Sequence, residues 1–271
     1  MTPFLARRER FDRVGSTNDV VRDWLAAGTP EICLAVAVEQ VAGRGRESRR
    51  WVAPPGAALL LSLGFRPTWL APDAAWRLAA VVSLAMAEAA EAEAGLPSGT
   101  IRLKWPNDLV LATGATRADG IRKLAGVLGE TDGLGSDAPR VVVGLGLNAD
   151  WAATDFPRDL AGTMTSLREA AQRPIDADAL LERFLTQLEP RVVALRSGAF
   201  DQAGWADRQL TTGHLVRLET PVGDETVRAI GVDASNGALI VADPSGATGE
   251  RNVFVGEITH VRMAEPIAEA V

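Results

Sequence analysis

Apolar and polar positions in this chain alternate in two rhythms, one strand-like and one helical, and turn residues separate them. Phe11 to Val14 predicts a short strand, and the polar turn Gly15-Ser16-Thr17-Asn18-Asp19 offers several helix-capping side chains. Val20, Val21, Trp24 and Leu25 then recur at helical spacing until Gly28-Thr29-Pro30 ends the helix. Cys33 to Val38 and Ala57 to Phe65 are continuous apolar runs, the pattern of strands covered on both faces. Ala74 to Ala94 predicts a long alanine-rich helix, closed by Gly95, Pro97 and Gly99. Shorter strands follow at Ile101-Arg102-Leu103, Leu109-Val110-Leu111 and Leu124 to Leu128, with Thr113 to Gly120 as a loose hairpin loop.

Val141 to Asn148 is another apolar strand, and its Gly144 and Gly146 sit at period two, so one face carries no side chains where something approaches closely. Ala177 to Leu195 predicts a second long helix. From Leu210 the rhythm changes to short alternating segments at Leu215 to Leu218, Thr226 to Val232, Ala238 to Val241, Asn252 to Val255 and Ile258 to Arg262. This predicts two units, residues 1–209 and a small all-β module over 210–264, with a frayed tail at 265–271.

The 271 residues are 47% hydrophobic and 23% charged, an ordinary globular balance far from that of disordered chains. A net charge of −7 and an isoelectric point near 5.0 argue against nucleic acid as the main partner, which requires a basic face. The N-terminus lacks the apolar core of a signal peptide and no apolar run is long enough to span a membrane, so a cytoplasmic protein is expected. Cys33 is alone, and His214 and His260 have no ligand partners nearby in sequence, so no disulfide or metal site is read.

Three segments carry candidate chemistry. Gly43-Arg44-Gly45-Arg46, with Arg49 and Trp51 beyond it, pairs a pliable backbone with guanidinium forks that match phosphate and carboxylate oxygens. It reads as an anion-binding loop, a solvated basic turn or an RNA-binding Arg-Gly segment, though such segments repeat and this one occurs once. Trp51 adds a face for stacking on an adenine or for core packing. Lys104-Trp105-Pro106-Asn107-Asp108 places polar groups at a strand end, where they serve a ligand or form an Asx-turn. Lys123 precedes the apolar run of Leu124-Ala125-Gly126, and Gly126, Gly144 and Gly146 can wall a slot for a flat, neutral ring. Together the segments suggest activation of a carboxylate with a nucleotide.

Gly15-Ser16-Thr17-Asn18, Gln40 with Gly43-Arg44-Gly45-Arg46 and Trp51, Lys104-Trp105-Pro106-Asn107-Asp108, Lys123-Leu124-Ala125-Gly126 and Gly144-Leu145-Gly146-Leu147-Asn148 together resemble biotin protein ligases, in order and approximate spacing from Phe11 to Arg262. The resemblance implies an α+β fold related to class II aminoacyl-tRNA synthetases, a mixed sheet with helices followed by an SH3-like β-barrel. It implies that biotin and ATP, with Mg2+, give biotinyl-5′-adenylate, and that a lysine of a biotin carboxyl carrier protein or domain then takes the biotin. By matching position, Ser16, Thr17, Asn18, Gln40, Gly43, Gly126 and Gly144 would line biotin, and Arg44, Gly45 and Arg46 would close over it. Lys123 and Arg46 would be catalytic, and Arg46, Arg49, Trp51, Asn107, Asp108, Asn148 and Arg262 would serve ATP and the adenylate.

Two departures from the family pattern bear on the site. Ser48 stands where a glycine is usual and is expected to stiffen the loop, and residues 113–120 lengthen a hairpin. The chain has no room before Gly15 for the helix-turn-helix domain of repressor members, so a ligase without operator binding is expected, as a monomer or homodimer. The alternatives are a lipoate or octanoate ligase of the same superfamily and a non-catalytic ligand or carrier-binding protein.

Overall fold

The computed structural model describes residues 4–112, 120–221, 223–244, 246, 249–255 and 260–263. The expected loop at 113–120, apart from Gly120, and the tail at 265–271 lie outside them. Seven strands form one mixed sheet in the order β1-β2-β3-β7-β6-β5-β4: β1 Arg7–Val14, β2 Cys33–Gln40, β3 Ala58–Phe65, β4 Ile101–Lys104, β5 Asp108–Ala112, β6 Ile121–Asp132 and β7 Arg140–Asn148. Only β1 and β2 run parallel; every other neighbouring pair is antiparallel.

The central strands are apolar because both faces are covered. Leu34 and Val36 of β2, with Leu61 and Leu63 of β3, pack under the long helices α2 Trp76–Ala94 and α4 Ala177–Arg196. On the other face Cys33, Ala35 and Val142 pack under Val21, Trp24 and Leu25 of α1 Thr17–Ala26. α1 is short, so the remainder of that face is left open toward β5, β6 and β7. Two short helices, α3 Leu167–Ala171 and α5 Gln202–Asp207, gave no clear period in the sequence.

β1 begins at Arg7 rather than Phe11, because it is an edge strand whose charged residues form ion pairs with Glu9, Glu182 and Asp178 instead of alternating with apolar ones. β6 likewise extends to Asp132, beyond the apolar run that announced it.

The C-terminal residues form a separate five-stranded antiparallel sheet, β11-β10-β9-β8-β12, from β8 Leu215–Thr220, β9 Gly223–Val232, β10 Leu239–Ala242, β11 Arg251–Val253 and β12 His260–Met263. Its segments match the five alternating runs within a few residues. It is tied to the outer edge of β4: Leu103 N–H donates to Arg208 O at 2.8 Å and Leu210 N–H to Leu103 O at 2.7 Å. The buried Glu91–Arg208 ion pair completes this edge. Ile101 N–H donates to the Glu91 carboxylate and the Arg208 guanidinium to Ile101 O, each at 2.8 Å. Edge groups that would otherwise stay unpaired are thereby satisfied. Among the described residues no helix is long and apolar enough to cross a membrane.

Candidate active site

The open part of the α1 face holds a cavity of about 630 Å3. Of the residues singled out from the sequence as site candidates, all but Gly43 line it. Gly43 stands beside it, where an added Cβ would lie 2.6 Å from Trp51 O.

One end is lined by hydrogen-bonding groups that carry no charge. Ser16 occupies the N-cap position of α1 but makes no capping bond, and it, Thr17 and Asn18 are buried toward the cavity. Residues suited to capping are therefore directed to the site, a local rule broken where function sits. Thr17 donates to Gln40 Oε1 through its backbone N–H at 2.6 Å and its hydroxyl at 3.0 Å. Ser62 Oγ, fully buried on β3, lies 2.7 Å from Thr17 Oγ1 and 2.5 Å from Asn18 Oδ1. Sequence reasoning passed over Ser62, although a lone hydroxyl in the run from Ala57 to Phe65, on the same face as the β7 glycines, was the available signal.

The glycines of β7 admit the chain's own side chains. A Cβ at Gly144 would lie 2.1 Å from Asn18 Oδ1, and one at Gly146 would lie 2.6 Å from the Trp51 ring. Asn18 and Trp51, whose indole also reaches Gly126, therefore stand beside these glycines as walls of the slot expected to take a ligand's flat ring. Gly144→Ala should force Asn18 aside and lower affinity for the ligand of this end at least tenfold, roughly the worth of one hydrogen bond in a dry site. Titration calorimetry checks this, and unchanged affinity would show that Asn18 does not read the ligand.

The glycine-arginine segment folds back as a narrow turn. Gly45 N–H donates to Arg49 O at 2.7 Å and Trp51 N–H to Gly43 O at 2.9 Å. Its base is clamped by Arg44, which donates to both Asp19 oxygens at 2.8 Å and to Glu130 at 3.2 Å. The bonds between them hold the Asp19 carboxyl below its ordinary value and push the Arg44 guanidinium above its own. Arg44 therefore anchors the loop. Arg46 reaches across to the C-terminal unit and donates to Val255 O at 2.9 Å, where burial depresses its guanidinium. Glu47 and Ser48 both take left-handed backbone, φ 53° and 57°. A glycine suffers no penalty there, so Ser48 weakens the closed turn rather than stiffening it.

The far end of the cavity is cationic. Lys123 Nζ lies 2.6 Å from Asp108 Oδ1, and Lys104, Arg49 and Arg262 add to the positive charge at this end. Burial pushes the Lys104 ammonium below its ordinary value, Asp108 opposing that shift. These four cations, Lys123 paired with Asp108 and Arg262 with Glu219, suit a polyanion such as a phosphate chain. Two residues assigned to the nucleotide side do structural work with their amides. Asn107 Nδ2 donates to Val127 O at 3.1 Å, pinning the β4–β5 turn. Asn148 Nδ2 donates to Thr165 O at 2.9 Å, holding the segment whose Thr163 O accepts from Lys123 N–H. Among the described residues no group of three or more His, Cys, Asp or Glu side chains could hold a metal ion.

The family described as "Biotin/lipoate A/B protein ligase family" matches residues 10–148. The Biotin--[acetyl-CoA-carboxylase] ligase of Mycobacterium tuberculosis is 33% identical over 253 residues, covering 92% of this chain and 87% of that protein. The enzyme of the same name from Paracoccus denitrificans is 33% identical over 230 residues, 82% of this chain and 89% of that one. The biotin protein ligase of Aquifex aeolicus in complex with biotin and ATP superposes with a TM-score of 0.76 at 23% identity, covering 95% of this chain and 99% of that one.

Proposed function

Because the chain belongs to the biotin/lipoate A/B protein ligase family, we propose that its cavity joins biotin to ATP and passes the biotin to a lysine of a carboxylase's carrier domain. The chain is a biotin protein ligase. One observation carries the assignment of its residues: a single cavity runs from the neutral hydrogen-bonding end to the cationic end, with Lys123 where they meet.

The ureido ring of biotin fits the end formed by Ser16, Thr17, Asn18 and Gln40, which present amides and hydroxyls, with Ser62 behind Asn18. A dithiolane or a plain acyl chain offers this polar end no hydrogen bonds of its own, a basis for rejecting lipoate and octanoate. The valerate carboxylate then lies toward Lys123. ATP, as its magnesium complex, places its phosphates among Lys104, Arg49 and Arg262. A carboxylate oxygen of biotin attacks the α-phosphorus, the bond to the β-phosphate oxygen breaks, and pyrophosphate leaves. Lys123 neutralises charge on the attacking and α-phosphate oxygens as it develops. In the second step the carrier's amine attacks the acyl carbon, loses a proton, and AMP departs.

Arg46 bridges the turn to the C-terminal unit and so closes this compartment against water. Arg46→Gly should still form adenylate but release it, seen as biotin on bystander proteins and a burst of free adenylate at least tenfold above wild type. Unchanged retention would remove Arg46 from this role. The acceptor is the biotin-bearing carrier protein or domain of a biotin-dependent carboxylase, and the ligase acts as a monomer or homodimer without nucleic acid or membrane. The test of the function is exchange of labelled pyrophosphate into ATP, run with biotin, lipoate and octanoate. Exchange with biotin alone supports the reading; exchange with lipoate instead moves the chain to the sister activity, and none with any acid leaves a binding protein.

A further inference from the structure

Glu130, near the end of β6, entered above only as a partner of Arg44, yet three side chains from two elements converge on it. Its carboxylate accepts from Asn18 Nδ2 at 2.9 Å and from Arg22 Nη2 at 2.6 Å, both on α1, and from Arg44 Nη2 at 3.2 Å, at the base of the glycine-arginine turn. We propose that Glu130 is a positioning residue that sets the direction in which the Asn18 amide faces, and thereby the affinity and selectivity of the cavity for the neutral ring of its acid substrate. The inference rests on reading the cavity as a biotin site.

The warrant is hydrogen-bond polarity. The two ends of an asparagine amide are almost the same shape but opposite in character, and an ionised carboxylate can only accept. Facing Glu130, Asn18 must present its NH2 there and its carbonyl on the opposite side. That carbonyl stands 2.5 Å from Ser62 Oγ, in the space left by Gly144. Gln40 is held in a complementary sense, because Thr17 donates twice to its Oε1 and leaves its Nε2 on the side of Gly43. An acceptor from Asn18 and a donor from Gln40 together complement a cyclic urea, which carries N–H and C=O groups side by side. Without an acceptor-only partner, buried Asn18 can turn over and offer a donor where an acceptor is needed. The loop does not depend on Glu130 alone, since Arg44 keeps both bonds to Asp19.

The test is titration of biotin into the full chain with three variants: Glu130→Gln, Glu130→Asp, and Glu130→Gln combined with Asn18→Asp. Glu130→Gln, isosteric but able to donate, should raise the biotin Kd about tenfold, at the low end of the worth of a hydrogen bond to a charged group. Turnover at saturating biotin should stay within about threefold and the KM for ATP should not move, a split that a general loss of structure would not produce. Glu130→Asp should recover much of the affinity. The double variant reverses the pair: the carboxylate now carried by α1 takes the glutamine's NH2 and still presents an oxygen toward Ser62. It should therefore bind biotin more tightly than Glu130→Gln alone, whereas a merely structural role predicts additive loss. Wild-type affinity in Glu130→Gln, or no recovery in the double variant, overturns the inference. A wild-type chain that binds no biotin overturns the reading of the cavity and the inference with it.

Discussion

Lys123→Ala should lower biotin-dependent exchange of pyrophosphate into ATP by about a hundred- to a thousandfold, the usual effect of removing one preorganised group from a developing charge. Position makes the expected loss large. The Lys123 ammonium is held 2.6 Å from Asp108, and its backbone is bonded on both sides to the covering segment, N–H to Thr163 O and C=O to Thr165 N–H. It is therefore fixed before substrate arrives, with little freedom left to lose when charge develops. The variant also strips Asp108 of its partner, turning a carboxylate toward the incoming phosphates, so affinity for ATP should fall with turnover. Lys123→Arg should rescue poorly, because a planar, delocalised guanidinium does not reproduce the compact point charge of an ammonium. Pyrophosphate exchange at saturating biotin and ATP measures the effect. A loss smaller than tenfold would take Lys123 out of the chemistry and leave it as a partner for Asp108.

Trp105→Ala should cost about 3–5 kcal/mol of stability, the range for truncating a buried tryptophan, and lower the melting temperature by on the order of 10 °C. Trp105 stands in the motif that carries Lys104, Asn107 and Asp108, yet its ring is not part of the main core. It is 3% exposed and packs among Val216, Leu218, Leu239 and Val241 of the C-terminal sheet. Its backbone N–H donates to Thr211 Oγ1 at 2.9 Å and its indole N–H to Gly237 O at 3.0 Å. The β4–β5 turn is thereby pinned to the second unit, and truncation should weaken ATP binding as well as the fold. Trp105→Phe, which keeps most of the packing and removes one hydrogen bond to a carbonyl, should cost less than the alanine variant. Calorimetric melting beside ATP titration separates the effects. An alanine variant that melts within about 2 °C of wild type would show that the ring does not join the two units.

Much of this was legible in the residues. The strands of both sheets, the two long helices and the strand-end motifs follow from local periodicity and turn chemistry, which depend on neighbours in sequence. Where local signal failed, a competing effect had won: charged β1 is an edge strand held by ion pairs, and Glu130 lies in β6 beyond its apolar run. Period-two glycines in β7 announced a close approach, and the side chains of Asn18 and Trp51 make it.

The order of the elements and the types of residue at the strand ends were determined by the sequence alone, because propensity and pattern act over a few residues. Only the tertiary structure decided which groups meet. Asn18 and Glu130 lie 112 positions apart, and Trp105 and Gly237 lie 132 apart. The indole of Trp51 fills the space over Gly146, Ser62 stands behind Asn18, and Trp105 seals the C-terminal core for the same reason. Alternation along a strand reveals that a face is covered or bare; what comes to lie on it is set by how the sheet twists and where the second unit docks.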